Sequence, residues 1–307
     1  MSTTVKAPTR APVRSQAAQR RGRRWAGAGF VLPFLLIFAF VFIAPLAYSI
    51  YLSLFETKLI GGTSFVGLSN YLLVFQDTRF WEGVGRVGLF LIIQVPIMLL
   101  LSVTAAMILD SARIHAIPFF RLAVFLPYAV PSVAAVLIWG FMYGERFGLA
   151  GNANDFLGVD FFLPLSQDWL IAAIGNIVTW SFFGYNMLIL FSALKSIPEE
   201  LYEAASLDGS NAFQTIWHIK LPAIRGALVI AVIFSIIGSF QLFNEPSVLQ
   251  TIVPNLISTY YTPNMYAYNL SFVGQQTNYA AALSIIMGII TASIAYVVQL
   301  RGNREAL

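Results

Sequence analysis

The chain has 307 residues, 58% of them hydrophobic and 10% charged, with a mean hydropathy of +0.75 and a net charge of +4. Soluble domains carry about 25% charged residues, so this composition excludes an ordinary soluble enzyme, and the small positive charge reads as membrane topology rather than nucleic-acid affinity. No cysteine is present, which excludes disulfides and thiolate metal sites, and the two histidines, His115 and His218, are too far apart in sequence to suggest a metal centre.

Residues 1–24 hold Lys6, Arg10, Arg14, Arg20, Arg21, Arg23 and Arg24 and no acid. Such a segment cannot bury a core and is expected to be a disordered cytoplasmic tail that acts as an orientation signal, with contact to anionic lipid at the cytoplasmic face as the alternative. Six apolar runs follow, near 27–54, 84–109, 119–143, 170–194, 223–243 and 280–300. Each is long enough to cross roughly 30 Å of hydrocarbon as a helix. The first runs too long for a signal peptide and reads as a retained helix.

With the N-terminus inside, the inner segments hold the seven tail cations together with Arg113, Arg121, Lys195, Lys220, Arg225, Arg301 and Arg304. The outer segments hold only Lys58, Arg79, Arg86 and Arg146, and the outer loop 144–169 is acidic. This bias places both termini in the cytoplasm. The expected divisions are the tail 1–24, a first span with its outer loop over 25–83, a transmembrane domain over 84–302 and a cytoplasmic tail at 303–307. Pro33, Pro45, Pro96, Pro127, Pro131, Gly184 and Gly238 lie within the runs and predict a packed bundle with bends. The runs carry almost no ionisable group away from their ends. That argues against an ion-coupled carrier, which uses charges near the midplane, and against an intramembrane hydrolase.

The segment 196–222 predicts two short helices joined at a glycine, outside the hydrocarbon. Ser196 is the expected N-cap, with Pro198 in the first turn and Glu199 completing a capping box. Glu199, Glu200 and Glu203 suit the positive end of that helix. Gly209 permits a sharp turn, and Asp208 and Ser210 are the candidates to cap the second helix. Phe213, Ile216, Trp217 and Ile219 give that helix an apolar face, and Pro222 is expected to open the next span. Physical chemistry alone leaves this segment as either a partner handle or an amphipathic loop at the lipid interface.

The spacing is more specific. Glu203-Ala204-Ala205, then Gly209 after three residues, Ile219 after nine more, and Leu221-Pro222 resemble the EAA loop of ABC importer permeases. That resemblance implies an all-α membrane protein with six transmembrane helices, a type I ABC importer permease fold and a cytoplasmic coupling loop. It implies that Glu203, Ala204, Ala205, Gly209, Ile219, Leu221 and Pro222 dock on a separate ATPase subunit. The chain has no G-x-x-x-x-G-K-[ST] phosphate loop. Consistently, the resemblance implies that it is not an enzyme, binds no cofactor, and leaves ATP and magnesium to the partner.

Ala44-Pro45, the run Phe65-Val66-Gly67-Leu68-Ser69-Asn70-Tyr71, Leu126-Pro127 and Ser196 to Ala205 are similar to the carbohydrate-uptake permeases of the maltose and glycerol-phosphate type. The implied partners are a second permease subunit, two ATP-binding subunits and an extracytoplasmic solute-binding lipoprotein, in a bacterial plasma membrane. A carbohydrate is the implied substrate, and nucleic acid is not a partner. Sugar sites combine aromatic faces with hydrogen-bonding side chains. The fourth span offers Trp180, Tyr185 and Asn186; the fifth offers Ser235, Ser239, Phe240, Gln241 and Asn244. The resemblance places Tyr185, Ser235 and Ser239 near the family's membrane sugar site. The same residue types also serve as interhelical glue. Glu245 is expected near the outer surface, ordering a loop or touching the binding protein. Gln241 to Pro246 is similar to runs in disaccharide-type permeases and suggests a disaccharide or short oligosaccharide. Another neutral solute is the alternative, and a stand-alone carrier or membrane enzyme a remoter one.

Overall fold

The computed structural model describes residues 29–58, 60–111, 115–158 and 163–304. The basic tail, Arg113, Asp160 and residues 305–307 lie outside them. The chain divides into two compact units, Met1–Tyr51 and Leu52–Leu307.

The first unit is described from Gly29, as most of helix α1 (Gly29–Ser53). A π-helical turn over Ala39–Ile43 interrupts its regular winding, with the Ala44 N–H bonded to the Ala39 carbonyl. Proline cannot donate and its ring crowds the preceding turn. A widened turn just before Pro45 accommodates both effects within a continuous helix.

The second unit begins with a small hairpin, β1 (Phe55–Lys58) antiparallel to β2 (Gly62–Phe65), an addition to the helices read from the sequence. Helix α2 (Ser69–Gln76) follows. The run Phe65 to Tyr71 is a lock. Phe65 packs edge-on against Phe55 at 5.3 Å. Buried Asn70 donates to the carbonyls of Ser53 at 2.8 Å and Phe55 at 2.9 Å, and the Tyr71 hydroxyl meets the Ser53 hydroxyl at 2.6 Å. Asn278 donates to the Leu52 carbonyl at 2.9 Å and ties in the last helix.

Helix α3 (Thr78–Asp110) runs unbroken past Pro96. The third apolar run, 119–143, is not one continuous helix. Its place is taken by α4 (Ile117–Phe125), extended as a tight turn to Ala129, and α5 (Ser132–Met142), which meet at 94°. Pro131 disfavours helical backbone at the residue before it, and Val130 is extended, with ψ 128°. Helix α6 (Leu149–Leu157) leads to the continuous α7 (Leu170–Leu194). The expected bend at Gly184 is a close approach instead. A Cβ there would collide with the Val124 carbonyl oxygen, so α4 and α7 touch backbone to backbone only because the residue is glycine.

The elbow holds α8 (Glu199–Leu207) and α9 (Ala212–Ala223). Helix α10 (Arg225–Phe240) meets α9 at 62°. The fifth crossing therefore starts two residues later and stops three earlier than its apolar run, and Pro222 lies in α9. Its 16 residues rise about 24 Å, short of the roughly 30 Å core. Helices α11 (Asn244–Ile252), α12 (Pro263–Tyr268, continued by a π turn) and α13 (Thr277–Arg304) complete the chain. The described residues thus hold four continuous helices long and apolar enough to span, and two bent pairs that bring the number to six.

Within this unit α3 lies along α7, and α10 packs on α3 and α13. Ser102 donates to the Phe183 carbonyl at 2.9 Å across the α3–α7 seam. One buried cluster joins Phe90, Val136, Ile174, Ile177, Leu249 and Met265. A second, at the elbow end, joins Ala106, Leu109, Met187, Leu190, Leu194 and Ile224.

Candidate functional site

The elbow is built by two helix ends. Helix α8 has Glu199 and Glu200 in its first turn, where its dipole favours them. The Ser196 cap does not form: its hydroxyl donates to the Ala193 carbonyl at 2.7 Å, closing α7, and the N-cap position is Pro198. At the other end, the Ser210 N–H reaches the Ala205 carbonyl at 2.9 Å and the Gly209 N–H reaches that of Ser206 at 3.1 Å. These are the paired bonds of a Schellman exit, which requires left-handed backbone at its glycine, and Gly209 has φ +75°. Asp208 and Ser210 are used up in that exit. Asn211, the next extended residue, caps α9 and forms a capping box with Gln214 in their place.

The seven motif residues fall into two groups. Glu203, Ala204, Gly209 and Pro222 are exposed and Ala205 is half-buried. Ile219 and Leu221 are half-buried, and Leu221 packs on the cluster around Met187 and Ile224. Beside the exposed group stand Leu201, Leu207, Phe213 and Trp217, of which Leu207 is 88% exposed. Apolar side chains gathered on an exposed surface mark an interaction site.

Away from the elbow, α3, α7, α10 and α11 enclose an open cavity of about 440 Å³, within the range of small-molecule sites. Tyr185 and Asn186 of α7, Ser235 and Ser239 of α10, and Gln241 and Asn244 beyond it all line this one space. Tyr185 stacks on Tyr128 at 4.9 Å and 17°, and Phe182 meets Tyr128 edge-on at 5.7 Å. The bend between α4 and α5 thus delivers an aromatic ring to the wall. Asn186 donates to the Phe182 carbonyl at 3.1 Å, and Asn244 to the Ser132 hydroxyl at 3.3 Å. Ser235 and Ser239 donate back to the carbonyls of Ala231 and Ser235, both at 2.8 Å, so towards the cavity they can only accept. Trp180 packs edge-on against Trp139 and does not line the cavity; Phe240 is buried in the core.

Gln94, Tyr128 and Phe182 line the cavity too and were not singled out from the sequence. The available signal for Gln94 is that it is the lone amide of a long apolar run. Glu245 lies in the first turn of α11 on the cavity wall, where burial pushes its carboxyl above the ordinary range. Among the described lining residues there is no Lys, Arg or His.

Residues 14–301 match the family described as the binding-protein-dependent transport system inner membrane component. The chain is 28% identical to the sulfoquinovosyl glycerol transport system permease protein of Agrobacterium fabrum, over 91% of this chain and 94% of that one. It is 30% identical to the arabinooligosaccharides transport system permease protein of Bacillus subtilis, over 95% of each. It also superposes on a chain of a bacterial ABC transporter that imports the acidic polysaccharide alginate, with a TM-score of 0.76 at 16% identity, covering 94% of this chain and 99% of that one. That match shows the type I importer fold. This chain belongs to the binding-protein-dependent inner membrane component family, as the multi-pass, non-catalytic permease subunit of a carbohydrate-uptake ABC importer.

Proposed function

We propose that this chain is one membrane half of an importer for a neutral disaccharide or short oligosaccharide. Its partners are a second, related permease subunit, two ATP-binding subunits and a solute-binding protein on the outer face. Both termini and the elbow face the cytoplasm, as the distribution of Lys and Arg favours. The elbow seats in a groove of an ATP-binding subunit, with Glu203 against a basic group and Ala204 and Ala205 allowing close approach. A solved alginate transporter in complex with a pentasaccharide-bound periplasmic protein supports the outer partner by likeness of fold.

One observation carries the substrate reading: six polar or aromatic side chains read from the sequence converge on one cavity with no cation among its described lining residues. The Tyr128–Tyr185 stack offers a flat face for the CH side of a sugar ring. Gln241 is exposed, and its side chain makes no hydrogen bond among the described residues, leaving it for sugar hydroxyls. An anionic saccharide would want Arg or Lys, and this wall offers the Glu245 carboxyl instead.

The test is uptake by the assembled transporter. Tyr185→Ala and Gln241→Ala are expected to raise the KM for the imported sugar about tenfold each, on the scale of one lost aromatic or hydrogen-bond contact. Sugar affinity of the solute-binding protein is expected to stay unchanged. Parental KM in both variants would remove the cavity from the transport path.

A further inference from the structure

Asp110 is the last residue of α3 and its side chain is 7% exposed. Both features are unfavourable in isolation. A buried carboxylate loses its hydration, and an acid at a helix C-terminus faces the negative end of the dipole. The site compensates with two lysines from two other elements. Lys195 Nζ, just past the end of α7, lies 2.8 Å from Asp110 Oδ1, and Lys220 Nζ, in the π turn of α9, lies 2.6 Å from Oδ2.

The two pairs differ. The Lys195 side chain is 55% exposed, whereas that of Lys220 is 14% exposed. The ammonium of Lys220 also lies 5.5 Å above the Tyr202 ring, so the contact reaches from α9 back to α8. The Tyr202 hydroxyl is buried and has no hydrogen-bond partner among the described residues. Burial, and secondarily the charge of Asp110, raises its pKa, consistent with a carboxylate close by.

The elements joined here are the ones that wall the cavity. Helix α3 carries Phe90, Gln94 and Met98, and α7 carries Phe182, Tyr185 and Asn186. Met98 lies about 18 Å along α3 from Asp110, and Asn186 about 14 Å along α7 from Lys195, at 1.5 Å per residue. Helices are stiff over such lengths, so a displacement applied at these ends reaches the walls as a rigid-body movement.

We infer that Asp110 is a positioning residue for transport. Its carboxylate ties the elbow, through Lys220, to the ends of α3 and α7, so that displacement of the elbow moves the cavity walls. Tyr202 closes the contact from α8 and keeps water from the Lys220 pair. The inference rests on the elbow being the ATPase contact, but concerns a different residue and a different step: transmission rather than docking.

The absence of cysteine allows clean placement of spin labels. Nitroxides at Ile97 on α3 and Ile230 on α10, both about half exposed, report the separation of two cavity walls in the assembled transporter with and without ATP. The parent chain is expected to show an ATP-dependent change in this distance. Asp110→Asn is expected to retain the ATP-binding subunits and their hydrolysis but lose the distance change. The charge-reversed triple variant Asp110→Lys, Lys195→Glu, Lys220→Glu is expected to recover it. An Asp110→Asn change equal to the parental one overturns the inference, as does a parent with no ATP-dependent change. Failure of the triple variant to recover the change also overturns it, since a local packing defect would then suffice. A parent that never retains ATP-binding subunits would instead defeat the docking reading.

Discussion

The elbow and the cavity are both built from side chains that leave backbone hydrogen bonding largely intact, yet they are encoded differently. The elbow is contiguous: its turn, cap and exposed acid occur within twenty residues, because a Schellman exit and a capping box act over single turns. The cavity is assembled from four helices and a bend, and its residues lie between positions 90 and 245. On the proposed function, the contrast is between a local device that sets how the protein is driven and a distributed one that sets what passes.

The largest expected effect breaks the elbow alone. Glu203→Lys leaves the fold untouched, since the side chain is exposed, but in the proposed docking it would oppose a partner cation. Reversal at an interfacial charge pair costs about 2–5 kcal/mol, so uptake is expected to fall by at least about thirtyfold, with membrane levels unchanged on immunoblots. Gly184→Ala breaks the other side. Its Cβ would meet the Val124 carbonyl, and overpacking of about 1–3 kcal/mol would push α4 and α7 apart and disturb the Tyr128–Tyr185 stack. A lower thermal midpoint of the detergent-solubilised complex checks this.

The contrast explains how much could be read in the sequence. The elbow was legible because a motif with fixed spacing needs no knowledge of the rest of the chain. Its caps were misread, because Ser196 and Asp208 are good cap residues in isolation but were claimed by the ends of the preceding helices. The six apolar runs located the spans. They did not reveal that Pro131 splits the third or that the fifth is short, since hydropathy does not register backbone direction. Tyr185, Asn186, Ser235, Ser239, Gln241 and Asn244 were visible as polar or aromatic groups in apolar runs. Tyr128 was not, because only the bend at Val130 carries it to the wall. The tie of Asp110 to Lys220 spans 110 residues of sequence and has no local signature.

Smaller effects sharpen the comparison. Gly209→Val forces a branched side chain into left-handed backbone, a cost of about 1–2 kcal/mol. It is expected to weaken retention of the ATP-binding subunits on a pull-down roughly tenfold while leaving the cavity-dependent KM unchanged. The smallest effect lies at the other end of the bundle. Asp77 accepts from Tyr266 at 2.8 Å and Tyr279 at 2.7 Å. Burial raises its pKa, but these hydrogen bonds and those from the backbone outweigh that and hold it below the usual 3.8. A depressed carboxylate contributes stability above its unfolded pKa and loses it as pH falls through the folded one. Thermal midpoints are therefore expected to decline below about pH 4 partly through this group, and Asp77→Asn should flatten that part of the profile.

The central claim is that one chain keeps drive and cargo at separate places. Its most direct test is a paired measurement on Glu203→Lys and Tyr185→Ala in the assembled transporter: retention of the ATP-binding subunits, and binding of the imported sugar to the membrane subunits. The account predicts that Glu203→Lys loses the ATP-binding subunits and keeps sugar binding, while Tyr185→Ala keeps those subunits and weakens sugar binding about tenfold. Loss of both properties in either variant would contradict it.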